Sequence, residues 1–191
     1  MSTLPAAEPR RFLFVLSSAR VGGNAEQLAR EASLALPADV EQRWIRLSET
    51  PLQPFVDIRH DAGVYPAPEG HEATLADATL WCTDLVMVVP VYWYSLPASA
   101  KLYLDHWSGW MRVPGMEFKA RMAGKRMWVV TVISGDDAAG AEPAVGTLRL
   151  TANYLRMEWN GVLLGHGSRP GDVATDAPAL AEARRFFAPG V

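Results

Sequence analysis

Cysteine is nearly absent: Cys82 is the only one in 191 residues, which excludes an internal disulfide and a cysteine metal cluster. Charge is sparse as well. Charged residues make up 20% of the chain and the formal net charge is −3, so there is no basic footprint for nucleic acid and little acidity for a cationic partner. No apolar run approaches the length of a membrane-spanning helix, and Met1 to Arg10 lacks the apolar core of a signal peptide. Neither a Walker loop nor a GxGxxG motif occurs, and there is no internal repeat or low-complexity segment. These absences leave a cytoplasmic protein as the expectation, with no nucleic-acid or membrane partner. A flexible tail over residues 1–10 is expected, then a single domain over 11–191, whose 49% apolar residues are enough to fill one core.

The most informative stretch is Asp84 to Trp107, DLVMVVPVYWYSLPASAKLYLDHW. Leu85 to Val89 is an unalternated apolar run, the pattern of a strand covered on both faces. Pro90 cannot donate to a sheet ladder and so marks the strand's end. After the aromatic run Tyr92-Trp93-Tyr94, Ser95 is placed to cap a helix and Pro97 to open it. Leu96, Ala100, Tyr103, Leu104 and Trp107 then recur at helical spacing. A buried strand, a loop at its carboxyl end and a returning helix form half of a parallel α/β unit, and such loops hold ligands in open α/β sheets.

Phe12 to Leu16 reads as a second strand of the same kind, placed centrally, and it runs into Ser17-Ser18-Ala19-Arg20-Val21-Gly22-Gly23-Asn24. Ala25, Leu28, Ala29, Ala32 and Leu36 share a helical face beyond it, with Asn24 and Gln27 spaced as a cap pair. A loop between a strand and a helix N-terminus offers free N–H groups and the positive end of the helix dipole, which suit a phosphate. Ser17, Ser18, Arg20 and Asn24 could add side-chain hydrogen bonds. A tight turn at Gly22-Gly23 capped by Asn24 accounts equally well for these residues taken alone.

The remaining elements are weaker or plainer. Val40 to Leu47 alternates enough to be an edge strand. Ser48 to Gly70 is long, proline-rich and aperiodic, which suggests a flap near a ligand or an interface. His60, Asp57 and Asp61 within it read as solvated loop residues. A helix is expected over His71 to Trp81, with Cys82 buried and inert at its end. Gly109 to Gly124 is irregular and could cover a ligand or form an interface. Met127 to Ile133 is a strong strand running into Ser134-Gly135, followed by a helix from Pro143 to Leu155. Trp159 to Leu164 reads as the last strand, with His166 in the loop beyond it as a spacer, and a terminal helix carries Leu180, Ala183 and Phe187. Strands and helices therefore alternate, which argues for a three-layer α/β domain with a parallel sheet.

Pro90-Val91-Tyr92-Trp93-Tyr94-Ser95, followed by Lys101 and Asp105, resembles the flavin-ring loop of flavodoxin-like NAD(P)H-dependent FMN reductases. Ser17 to Asn24 is similar in form to that family's Ser-x-Arg-x-x-Gly-Asn phosphate loop. Gly165-x-Gly167 followed by Pro170-Gly171-Asp172-Val173 is similar to the family's C-terminus. Two departures stand out: Ala25 replaces a frequent hydroxyl residue, and His106 stands where arginine is common. Lys101 and Asp105 are also spaced to pair on a solvated helix face. The resemblance implies a flavodoxin-like fold with a five-stranded parallel sheet of order 2-1-3-4-5, FMN as cofactor, NADPH or NADH as donor, and a flavin, quinone or other small molecule as acceptor. It implies phosphate contacts from Ser17, Ser18, Arg20 and Asn24. Ribityl and ring contacts would come from Pro90, Val91, Tyr92, Trp93 and Ser95 with Ser134 and Gly135. No catalytic acid–base residue and no metal ligand is expected, because the cofactor carries the chemistry. An electron-transferring flavodoxin and a flavodoxin-fold binding module without redox activity are the alternatives.

The chain's seven tryptophans and two irregular apolar segments exceed what a monomer's surface usually keeps, so a homodimer or homotetramer is expected. Light scattering at micromolar concentration checks this: a dimeric or tetrameric mass is the expected result, and a monomeric one contradicts it.

Overall fold

The computed structural model describes residues 9–61, 63–135 and 137–188. The chain alternates β1 (Arg11–Leu16), α1 (Asn24–Ser33), β2 (Glu41–Arg46), α2 (Gly70–Trp81), β3 (Asp84–Pro90), α3 (Ala98–Trp110), a short α4 (Phe118–Met122), β4 (Arg126–Ile133), α5 (Glu142–Tyr154), β5 (Glu158–His166) and α6 (Ala177–Phe186). The five strands are all parallel, in the order β2-β1-β3-β4-β5. Both the architecture and the order implied by the resemblance are therefore present.

The unalternated apolar runs have a direct physical basis. Successive side chains of a strand point to opposite faces, and here both faces are covered. Leu13, Val15, Leu85, Met87, Met127 and Val129 pack on one side with Leu75, Tyr103, Trp107 and Leu148 from the helices. Phe12, Phe14, Val86, Val88, Trp128 and Val130 pack on the other with Leu28, Ala32, Ala179 and Phe187. β2 differs because it is an edge strand, and Glu41, Gln42 and Arg43 are exposed accordingly.

Neither irregular segment contributes a residue to the cleft described below. Tyr65 of the 48–70 segment lies so close to Gly109 that a Cβ there would meet its ring at 2.9 Å. His106 holds the same segment, with Nε2 2.9 Å from the Gln53 carbonyl and Nδ1 3.0 Å from Glu72, while Trp110 Nε1 donates to Glu72 at 2.7 Å. The segment is thus strapped to the C-terminal half of α3. Within 109–124, α3 continues to Trp110, and α4 sends Phe118 into the core against Trp107 and Trp110. Neither segment is a cover for the cleft described below; both are fastened elsewhere by aromatic packing that periodicity does not reveal. Cys82 is fully buried, and burial pushes its thiol up to about 12, so it is inert as expected.

Of the expected tail, Met1 to Glu8 fall outside the described residues, and Arg10 is anchored to the domain. Its guanidinium holds the buried Asp84 carboxylate with Nη2–Oδ1 at 2.6 Å and also donates to the Phe187 carbonyl. Trp128 Nε1 and the Thr83 hydroxyl donate to the same carboxylate. Burial alone would raise the Asp84 pKa, but the hydrogen bonds from Arg10, Thr83 and Trp128 outweigh it and hold the group below its ordinary value of 3.8. A depressed carboxyl contributes stability above its unfolded pKa and loses it as pH falls through the folded one. Asp84→Asn should cost about 2–3 kcal/mol at neutral pH, because buried donors lose a charged acceptor. Urea unfolding checks this, and the difference from wild type should shrink as pH drops below about 3.8.

Candidate functional site

Three loops meet where the strand order reverses. β1 pairs with β2 on one side and β3 on the other, so the chain leaves β1 and β3 toward opposite faces of the sheet and a crevice opens between their ends. Two cavities occupy it. One of about 210 Å³ is lined by Ser18, Arg20, Asn24 and Ala25 from the first loop, Pro90, Val91 and Tyr92 from the second, Ser134 from the third, and Gly167 and Ser168 from the last. The other, about 650 Å³, is lined by Val91, Trp93 and Tyr94, by Ile133, Ser134 and Gly135, and by Asp137, Ala139 and Gly140. Val91 and Ser134 line both, so the cavities are two ends of one cleft.

The smaller end has the properties of an anion site. The N-cap of α1 is Gly23, in extended conformation and without a side chain to offer, so the first-turn N–H groups stay available. Arg20 adds a guanidinium that has no ion-pair partner among the described residues. Asn24 is not the expected cap. It is the first residue of α1, and its side chain reaches the last loop, donating to the Arg169 carbonyl at 2.9 Å and accepting from the Gly171 N–H at 2.9 Å. Ser17 also departs from expectation: its hydroxyl is buried and donates to the Val88 carbonyl at 3.1 Å, while its own carbonyl accepts from the Ser99 hydroxyl. The Ser17 hydroxyl is thus turned away from the cavity, and its role is to tie the loop to β3 and α3. Ser18 lines the cavity and accepts the Arg20 N–H at 3.0 Å.

The larger end is shaped by a tight turn. Tyr92 and Ser95 exchange backbone hydrogen bonds at 3.1 and 3.0 Å, leaving Trp93 and Tyr94 at the tip with φ of 51° and 62°. Two successive positive φ values are the signature of a type I′ turn, which normally takes Asn and Gly. Two bulky aromatics there carry strain, and such strain collects at functional sites. Trp93 is 94% exposed, and neither its N–H nor that of Tyr94 has an acceptor among the described residues. Ser95 closes this turn instead of capping α3, whose N-cap is Pro97, and it lines neither cavity.

Sequence reasoning missed the last loop as a wall of the site. Asp172 gathers it by accepting the Ser168 and Arg169 N–H groups, which hold its carboxyl below the ordinary range. Gly165-x-Gly167 was the available signal. A Cβ at Gly167 would meet Asn24 Nδ2 at 2.8 Å and the Val173 N at 3.1 Å, so only glycine allows this approach. His166 stands outside the cleft, its N–H and Nδ1 both directed at Asp176. Lys101 and Asp105 pair with each other on α3, and no cluster suited to a metal occurs among the described residues.

A family model described as flavodoxin-like fold matches residues 10–187. The chain belongs to the flavodoxin-like family. Within it, a Bacillus subtilis protein with the provisional name NAD(P)H-dependent FMN-containing oxidoreductase YwqN is 30% identical over 88% of this chain and 91% of its own length. A second relative, the FMN-dependent NADH:quinone oxidoreductase of Alkalilimnicola ehrlichii, is 36% identical over 49% of this chain and 52% of its own. Among solved structures, the Trp repressor binding protein from Bacillus subtilis superposes with a TM-score of 0.74 at 25% identity, over 94% of this chain and 99% of that one.

Gly167→Ala should cost about 1–3 kcal/mol through the overpacked contact with Asn24 and Val173. Gly135→Ala meets nothing within 4 Å and should stay within about 0.5 kcal/mol of wild type. Thermal melts of both variants compare the two.

Proposed function

We propose that this chain is an FMN-dependent NAD(P)H oxidoreductase that reduces a small electrophilic acceptor such as a flavin or quinone. The observation that carries the reading is the paired cleft: an anion-sized end at a helix N-terminus joined through Val91 and Ser134 to a larger, partly aromatic chamber. A ligand with a phosphate at one end and a planar ring at the other fits that arrangement. The names of the two sequence relatives support the same cofactor and chemistry.

Bound FMN supplies two-electron transfer between a nicotinamide and an acceptor. The chain's residues bind and orient. Arg20 and the first-turn N–H groups of α1 hold the phosphate, and the Gly167–Ser168 wall limits that end to a small group. The Trp93 and Tyr94 N–H groups, without acceptors among the described residues, would be available to donate to a bound ring. Val91 and Ile133 give the ring's surroundings an apolar wall, with the exposed Trp93 and Tyr94 at the rim. A donor and an acceptor would each need contact with a bound ring, and the larger chamber is open to solvent at the exposed Trp93. The reading gives no side chain an acid–base role, because the ring carries the chemistry. The same reading includes a homodimer or homotetramer, supported by Trp93, Leu150 and Tyr154, which are 94%, 71% and 59% exposed.

The test is an absorption spectrum of purified protein incubated with FMN and desalted, followed by anaerobic NADH or NADPH. Retained yellow colour that bleaches promptly supports the oxidoreductase and shows the preferred nucleotide. Retained flavin that ignores both nucleotides favours an electron carrier, and no retained flavin leaves a binding module.

A further inference from the structure

Two charged residues lie beneath the anion-binding loop without lining the cleft. Glu26, in the first turn of α1, and Arg46, the last residue of β2, are only 5% and 9% exposed. Arg46 Nη2 donates to both Glu26 carboxylate oxygens at 2.9 and 2.8 Å, and Arg30 adds a contact to Oε1 at 3.0 Å. A buried ion pair is seldom the most stable filling for such a space, since well-packed apolar side chains often do as well. Its hydrogen bonds indicate what else it does.

Each charged group reaches up into the loop. Glu26 Oε2 accepts the Gly22 N–H at 2.9 Å, and Arg46 Nη1 donates to the Arg20 carbonyl at 3.4 Å. Gln27 Nε2 completes the set by donating to the Gly22 carbonyl at 2.8 Å. The main chain on both sides of Val21 is therefore held from below, and Arg20 keeps its guanidinium free above. Charge is balanced as well. A lone carboxylate in the first turn would compete with a bound anion for the positive end of α1, and the arginines cancel that competition.

We propose that the Glu26–Arg46 pair is a positioning device for the phosphate group of FMN: it sets the loop's recognition of phosphate and leaves recognition of the ring alone. This rests on the FMN reading above, and it assigns a role to two residues that touch no ligand.

FMN and riboflavin share ring and ribityl chain and differ by the phosphate, so the ratio of their dissociation constants isolates the phosphate contribution. Flavin fluorescence titration of the purified full chain gives both constants. Wild type should bind FMN far more tightly than riboflavin. In Glu26→Gln and Arg46→Met that preference should fall tenfold or more, with the riboflavin constant unchanged within about threefold. Arg46→Lys keeps the charge without the planar fork and should give an intermediate preference; it also carries the test if circular dichroism shows the other variants unfolded. An equal loss of both affinities makes the pair merely structural and overturns the proposal, as does an unchanged preference in folded variants. If wild type itself binds neither flavin or does not distinguish them, the FMN reading falls first. If wild type distinguishes them and no variant does so less well, only the positioning role falls.

Discussion

β1 has neither a free edge nor a free face, and the rest of the molecule follows from that. β2 and β3 pair with its two edges, and the two apolar layers cover its sides. A parallel strand so enclosed can only release its chain at the carboxyl end. The neighbouring crossovers depart to opposite faces there, so the space above β1 and β3 stays open. Ser17 secures this exit, its N–H and hydroxyl both donating to the Val88 carbonyl of β3. The cleft is thus a consequence of strand order, and the loops only decide what it can hold.

Those loops are held mostly by polar contacts between segments distant in the chain. Asn24 joins the first loop to the last across 147 residues through Gly171. Asp172 gathers Ser168 and Arg169 beneath it, and Asp176 ties His166 in place. The Glu26–Arg46 pair supports the opposite side. Rigid support of this kind fits a site that holds a cofactor, where fixed geometry matters more than mobile side chains. The strained Trp93–Tyr94 tip is consistent with the same division of labour, since its cost is borne by the well-packed sheet behind it.

Much of the architecture was legible because burial on both faces writes a plain signature. The runs at Phe12 and Leu85 have no polar interruption and that at Met127 has only Thr131, so all three read as buried strands. Cys82, read as inert from its place at a helix–strand junction, is buried there. Side-chain roles in the loops were less legible. Ser17 has the right chemistry for phosphate and sits at suitable spacing, yet a tertiary hydrogen bond turns its hydroxyl to Val88, while Asn24 lines the cleft and also bonds Arg169 and Gly171. Ser95 is a good cap residue used instead to close a turn. The 48–70 segment read as a flap or an interface because it lacks periodicity, but Phe55 and Tyr65 find partners on α3 that no local pattern announces.

The amino-acid sequence by itself determined the α/β class, the buried strands, the helices and three of the four loops that line the cleft, because periodicity, proline placement and glycine placement act over a few residues. Tertiary structure alone decided which hydroxyls and amides face the cleft, that Gly167 and Ser168 wall its anion end, and that Glu26 and Arg46 support it from below. Those outcomes depend on which distant carbonyl or guanidinium competes for each polar group, and that competition is settled only when the chain has folded.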